Sequence, residues 1–145
     1  MSKYEAEKTA VLEKIAEGKD IKKSDKGKGM YYIGEDLVHI RYNSQDPNIP
    51  FQFWFSIYSS ALVADYEVWV LGNTGVFYTI PSEVIKKIYD DPDAYLDKSK
   101  DGRVVIVTIQ WEDESRAIFS RKTDKLYIEY YFQCTIDQVK DFQNV

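Results

Sequence analysis

Histidine and cysteine, which often carry nucleophilic or metal-dependent chemistry, each occur once in this chain, at His39 and Cys134. A typical zinc site needs several such ligands, so no zinc site is predicted. The two side chains would act as nucleophile and base only if the fold brought them together, and no sequence pattern indicates that. We therefore predict that His39 is a structural or surface residue.

Carboxylates occur in small groups, but none of these groups forms a recognisable catalytic pattern. Neighbouring acids in turns usually cap helices or face water, and oxygen-ligand metal sites need several carboxylates that converge in space. The sequence therefore predicts no catalytic residue, no metal ligand and no cofactor. The groups are Glu35 with Asp36, Asp65 with Glu67, and Asp90, Asp91 and Asp93.

Lysines are concentrated between residues 19 and 29, in the segment KDIKKSDKGKG. Such a local cluster can contact the phosphates of a nucleic acid. A solvated connector is the alternative interpretation, since short charge runs are usually exposed. Gly27 and Gly29 lack the preceding strand and following helix of a phosphate-binding loop, so nucleotide hydrolysis is not predicted. The lysines assigned to a nucleic-acid contact are Lys22, Lys23, Lys26 and Lys28.

A strand predicted over residues 51–57 alternates large apolar side chains with Gln52, Trp54 and Ser56. This alternation indicates one thoroughly buried face and one partly buried face. We assign Gln52, Trp54 and Ser56 to a second nucleic-acid contact, in which the indole stacks on a base. The alternative is that Trp54 packs beneath the first helix.

The first half of the chain is predicted to form a helix and then strands. The helix spans about residues 3–17, has a capping box of Ser2 and Glu5, and ends at Gly18. The segments MYYI and LVHIRY form a hairpin, and DYEVWVL and VFYTI form another around residues 72–75.

The second half is predicted to begin with a helix that Ser82 caps and that ends near Tyr89. The nearly continuous apolar segment VVIVTIQW indicates a strand in the sheet interior, and RAIFSR with KLYIEYYF indicates a hairpin. A capping box of Thr135 and Gln138 opens a terminal helix over residues 136–142.

This element order predicts one α+β domain over residues 1–145. The expected architecture is a mixed or mainly antiparallel sheet of about six to eight strands. An N-terminal helix, a central helix and a short C-terminal helix flank it. Residues of apolar type make up 44% of the chain, enough for a substantial core.

Composition restricts the partners and the compartment. A net charge of −5 is opposite to the basic field of a typical nucleic-acid-binding domain, so any such contact must be local. One cysteine is compatible with a reducing cytoplasm, and no run of about 18 apolar residues could span a bilayer. We expect a cytoplasmic protein without a membrane partner.

The order of elements over residues 4–89 resembles the core of restriction-endonuclease-like domains, the PD-(D/E)xK superfamily. Some members have a segment like vDyfvvv…vyyiP that leads into a helix. The similar residues here are Asp65, Tyr66, Val68, Val70, Val76, Tyr78, Ile80 and Pro81.

The resemblance implies a degenerate domain that does not cleave nucleic acid. Catalysis of that kind needs an acid, one residue and then a lysine on the strand that here carries Gln52-Phe53-Trp54. Asp36 could imitate the superfamily's first acid, but one carboxylate is a poor metal site.

Two binding functions and one enzymatic function remain open from the sequence. The first is a non-catalytic module linked to nucleic-acid processing or defence. The second is an acidic protein-binding module, such as an inhibitor or immunity protein, which fits the net charge and the tyrosine-rich C-terminal strand. The third is an enzyme that uses scattered carboxylates. A homodimer through a sheet edge is also compatible with exposed aromatic residues. The protein-binding residues would be Asp90, Asp91, Asp93, Tyr127 and Tyr130.

Overall fold

The computed structural model describes residues 3–49, 52–58, 62–87, 96–97, 104–111, 115–119, 125–127 and 131–143. Within these residues lie three helices, Lys3–Ala16 (α1), Ser82–Lys86 (α2) and Ile136–Gln143 (α3). The ten strands are Ile21–Lys23 (β1), Met30–Ile33 (β2), Asp36–Asn43 (β3), Gln52–Tyr58 (β4), Tyr66–Leu71 (β5), Val76–Pro81 (β6), Leu96–Asp97 (β7), Val104–Trp111 (β8), Ser115–Phe119 (β9) and Lys125–Tyr127 (β10).

The strands of the described residues form two five-stranded sheets. The first is mixed, in the order β1-β2-β3-β5-β6, and its parallel pair is β3 with β5. The second contains β4 and β7 to β10, with β4 antiparallel to β8. The α+β class and the three helices are as predicted, but a single sheet of six to eight strands was wrong. Alternation along a strand does not encode its partner, and the pairing of β4 with β8 crosses a long stretch of the chain.

Helices α1 and α3 cover one face of the first sheet. Val11, Leu12 and Ile15 of α1 are buried, as their helical spacing predicts, and they share a core with Ile136 and Val139 of α3. Helix α1 ends at Ala16, one residue before the predicted end. The chain then turns through positive φ angles at Glu17 and Gly18.

The opposite face of the first sheet packs against β4. Phe53 and Phe55 are buried, which confirms the apolar face predicted for this strand. The Phe55 ring stacks on the indole of Trp69 from β5, with 4.9 Å between ring centroids. This contact joins the second sheet to the first.

The two predicted helix caps within the described residues have different outcomes. Thr135 and Gln138 form the capping box, because the Gln138 amide donates to Thr135 Oγ1 at 3.1 Å and the Thr135 amide donates to Gln138 Oε1 at 2.8 Å. The cap assigned to Ser82 was wrong. Pro81 occupies the N-cap position, and Ser82 lies one residue inside the helix with its side chain buried. The box of Ser2 and Glu5 includes a residue outside the described part.

Cys134 should react slowly with alkylating reagents in the native protein. Its side chain is buried, and burial raises the pKa of the thiol, so both access and thiolate content are reduced. We expect iodoacetamide to modify the folded protein on the order of tenfold more slowly than the urea-unfolded protein. Equal rates in the two states, measured by mass spectrometry, would contradict the placement of Cys134 in the core.

Candidate functional site

A groove of about 470 Å³ lies between the first turns of α1, the loop before β2, and β3. It lies next to the start of β2, where the Ile40 amide donates to the Gly29 carbonyl at 2.9 Å. Its lining residues include two lysines and one arginine. The lining residues are Tyr4, Glu5, Lys8, Lys28, Gly29, His39, Ile40 and Arg41.

On the face of the first sheet that packs against β4, the same face as Trp69, lies a fully buried carboxylate, Glu67 of β5. Parallel pairing sets Glu67 opposite His39, and the period of two along β3 places Arg41 on the same face as His39. Glu67 Oε2 lies 3.0 Å from His39 Nδ1, and Glu67 Oε1 accepts a hydrogen bond from Arg41 Nε at 2.5 Å. Because a carboxylate only accepts hydrogen bonds, Nδ1 is the ring nitrogen that carries the proton.

Arg41 retains hydrogen-bonding capacity beyond this ion pair. Its Nη2 atom is buried and has no hydrogen-bond partner within the described part of the chain. A guanidinium presents its donors in a planar fork that suits carboxylate or phosphate oxygens. In this structure Glu67 holds the Arg41 side chain on the face of the sheet that packs against β4, away from α1.

Lys8 and Lys28 add two positive charges to the groove. Lys8 is only 8% exposed, and its ammonium lies 3.7 Å from Glu5 Oε1 and 4.6 Å from the centre of the Tyr4 ring. Lys28 is exposed on the loop before β2.

Glu7 fixes α1 next to the sheet and so defines one wall of the groove. Its Oε1 accepts from the Asn73 amide at 3.0 Å, in the turn between β5 and β6. The Tyr42 hydroxyl donates to the same oxygen at 3.4 Å, and the Tyr42 ring meets the Tyr4 ring edge-on. Burial and the nearby Glu7 carboxylate raise the pKa of Tyr42, so this hydroxyl remains a donor.

Gly29 keeps one edge of the His39 ring uncovered. A Cβ at this position would lie 3.4 Å from His39 Cδ2, 3.6 Å from His39 Nε2 and 3.0 Å from the Ile40 carbonyl oxygen. The backbone at Gly29 also has a φ of +75°, which disfavours other residues. Glycine here leaves Nε2, the ring nitrogen that Glu67 does not engage, next to the groove.

The lysines predicted to contact nucleic acid lie around this groove and on the adjacent sheet edge. Lys22 and Lys23 belong to β1, which pairs with β2, so that part of the segment is a strand rather than only a connector. Lys26 and Lys28 follow in the loop, and all four side chains are exposed. Lys28 belongs to both the cluster and the groove.

The second predicted contact lies in the other sheet. Gln52 is half-buried at the start of β4. Trp54 and Ser56 pair in register with Thr108 and Ile106 of β8, and their side chains lie outside the described part. The structure therefore puts this strand and the lysines in different sheets.

The residues of the alternative protein-binding surface are almost entirely outside the described part. Asp90, Asp91, Asp93 and Tyr130 are not among the described residues. Tyr127 is the last residue of β10, and only its backbone is described. That surface stays a prediction.

Sequence reasoning missed Glu67, Arg41 and Lys8. The expectation that paired acids cap helices or face water was wrong for Glu67, because β5 is buried at every position. The available signal was a lone acid within the apolar strand YEVWVL, together with the spacing His-x-Arg in β3. His39 was expected to be a structural or surface residue. It is half-buried and is one of the residues that line the groove.

Two of the other predicted carboxylates, Asp36 and Asp65, have structural partners. Asp36 Oδ2 is 2.7 Å from Lys140 Nζ of α3. Asp65 Oδ2 accepts a hydrogen bond from the Leu37 amide at 2.9 Å. Among the described residues, no three His, Cys, Asp or Glu side chains are placed to hold a metal ion.

Comparison with family models, with curated proteins and with solved structures gave no significant match. In the described part of the chain, no helix is both long enough and apolar enough to cross a membrane.

Proposed function

We propose that the protein is a nucleic-acid-binding module that contacts the phosphate backbone through Lys22, Lys23, Lys26 and Lys28. The observation that carries this proposal is that all four side chains are exposed on one short stretch of the chain, the edge strand β1 and the loop that follows it. Such a local cluster of cations can neutralise several phosphates.

Lys28 connects this cluster to the groove, which Lys8 also lines. Lys22, Lys23 and Lys26 continue from Lys28 along the edge formed by β1 and its following loop. Lys19 does not contribute, because its ammonium pairs with Asp137 at 2.6 Å. A backbone held at several phosphates would bind despite the acidic total, because local cations act over about a Debye length of 10 Å.

Fluorescence anisotropy of labelled single- and double-stranded RNA and DNA tests the proposal. We expect affinity to fall steeply between about 50 and 200 mM salt, since binding to phosphates releases counterions. Changing Lys22, Lys23, Lys26 and Lys28 together to glutamate should weaken binding by roughly a hundredfold or more. The slope of log affinity against log salt should also become shallower by about one for each phosphate that the variant no longer neutralises.

A matched pair of single charge reversals is Lys28→Glu, in the lysine cluster, and Lys87→Glu, at an exposed position after α2. Lys28→Glu should weaken binding, and Lys87→Glu should bind like the unaltered protein. Trp54→Ala tests the strand contact separately, because removing one stacked base costs about 1–3 kcal/mol. Absence of binding at micromolar protein, or an equal weakening in the Lys87 control, would overturn the proposal and leave the acidic protein-binding hypothesis.

A further inference from the structure

We propose that the lysine cluster binds single-stranded nucleic acid with one base stacked on the ring of Tyr32. This inference rests on the proposed function, because the same four lysines must hold the phosphates. It goes further by naming the form of nucleic acid and an aromatic residue that contacts it. Trp54, the aromatic residue predicted to stack on a base, belongs to the other sheet, whereas Tyr32 lies on the strand that pairs with β1.

The first support is the register between β1 and β2. Tyr32 is paired directly with Lys22. Directly opposed residues of an antiparallel pair place their side chains on the same face, with Cβ atoms about 4.5–5.5 Å apart. The Lys22 ammonium can therefore reach a phosphate next to a base that lies on the Tyr32 ring. A ring beside a cation suits a single strand, whose bases stack on side chains while its backbone follows the positive charge.

The second support is the position of the Tyr32 ring at the rim of the core. It packs against a small buried cluster of Met30, Leu37 and Ala64, yet the residue is only half-buried, so part of it is accessible to solvent. Its neighbour Tyr31 points to the opposite face and packs against the core that α1 and α3 cover. Because its ring is already held by the cluster, Tyr32 loses little conformational freedom when a base stacks on it.

The third support is the open edge of β1, the end strand of the first sheet. The Ser24 amide donates to the Met30 carbonyl at 3.0 Å, so the even-numbered residues of this segment form the hydrogen bonds with β2. The amides of Ile21 and Lys23 therefore point away from β2, toward the edge. Backbone amides are common donors to phosphate oxygens, so these two amides supplement the lysine side chains.

The same arrangement would contact a duplex differently. In a double helix the bases are stacked on one another, so a duplex presents no free base face to Tyr32 along its length. The lysines and the edge amides would still contact its phosphates. The Tyr32 ring should therefore contribute to the affinity for a single strand and not to the affinity for a duplex.

The test measures the binding of three labelled probes to the full chain at about 50 mM salt. The probes are a single-stranded oligonucleotide, a duplex of the same sequence, and an abasic strand of the same length. Tyr32→Leu should weaken binding of the single strand by about 5- to 150-fold, the equivalent of one stacked base, and should leave the other two probes unchanged. Tyr32→Phe, which keeps the ring, is the matched control and should bind all three probes like the unaltered protein.

A comparison without any variant uses the unaltered protein, which should bind the single strand more tightly than the abasic strand. Thermal unfolding shows whether Tyr32→Leu is folded. Three results would overturn the inference and leave the lysine contact intact: equal affinity of the unaltered protein for the single and abasic strands, unchanged single-strand binding by Tyr32→Leu, or equal weakening for all three probes by a folded Tyr32→Leu. Failure of the unaltered protein to bind any probe would overturn the proposed function itself.

Discussion

Replacement of Glu67 by alanine is expected to destabilise the fold by about 3–5 kcal/mol, the usual cost of removing one partner from a buried ion pair. The carboxylate is completely buried and serves two neighbours, Arg41 at 18% and His39 at 14% side-chain exposure. Without it, the Arg41 guanidinium would be left largely desolvated and without its counter-charge. Urea unfolding followed by tryptophan fluorescence measures the decrease in stability.

Two further substitutions separate charge from shape at this position. Glu67→Gln keeps the volume and some hydrogen bonding, so its cost should lie below that of alanine. Glu83→Ala removes an exposed acid from α2 and should change stability by less than about 0.5 kcal/mol. If Glu67→Ala cost no more than Glu83→Ala, the ion-pair network of Glu67, His39 and Arg41 would not exist in solution.

Replacement of Trp69 by alanine is expected to cost about 3–5 kcal/mol, as for other large aromatic side chains removed from a core. Its side chain is fully buried and stacks on Phe55 with an interplanar angle of 12°. The substitution would leave a cavity between the two sheets. Thermal or urea unfolding would show the destabilisation as a lower midpoint.

Trp69→Phe provides the matched control for this cavity. It retains an aromatic ring against Phe55 and removes Nε1, a buried donor that lacks a hydrogen-bond partner in the described residues. We therefore expect a cost below about 1.5 kcal/mol, the usual limit for well-tolerated hydrophobic exchanges. Similar costs for the alanine and phenylalanine variants would contradict the stacked contact between the sheets.

Local features of this protein were determined by the sequence alone. The start of α3 follows from the capping box of Thr135 and Gln138, whose hydrogen bonds span three residues. The end of α1 follows from Gly18, and the hairpin of β5 and β6 follows from the turn at residues 72–75. Each depends on backbone preferences and contacts within a few residues, which the order of side chains states directly.

The tertiary structure decided which distant residues meet. Nothing near Glu67 in the sequence indicates that it binds both His39 and Arg41. That arrangement requires β3 and β5 to pair in parallel, although β4 lies between them in the sequence. Lys8 and Lys28 likewise line one groove only because α1 packs beside β3 and is held by Glu7. The strand of Phe53 and Phe55 was correctly predicted to have a buried face, but its sheet was not. Such contacts are set by the packing of the whole chain, because the free energy of burying each face depends on every element that could cover it.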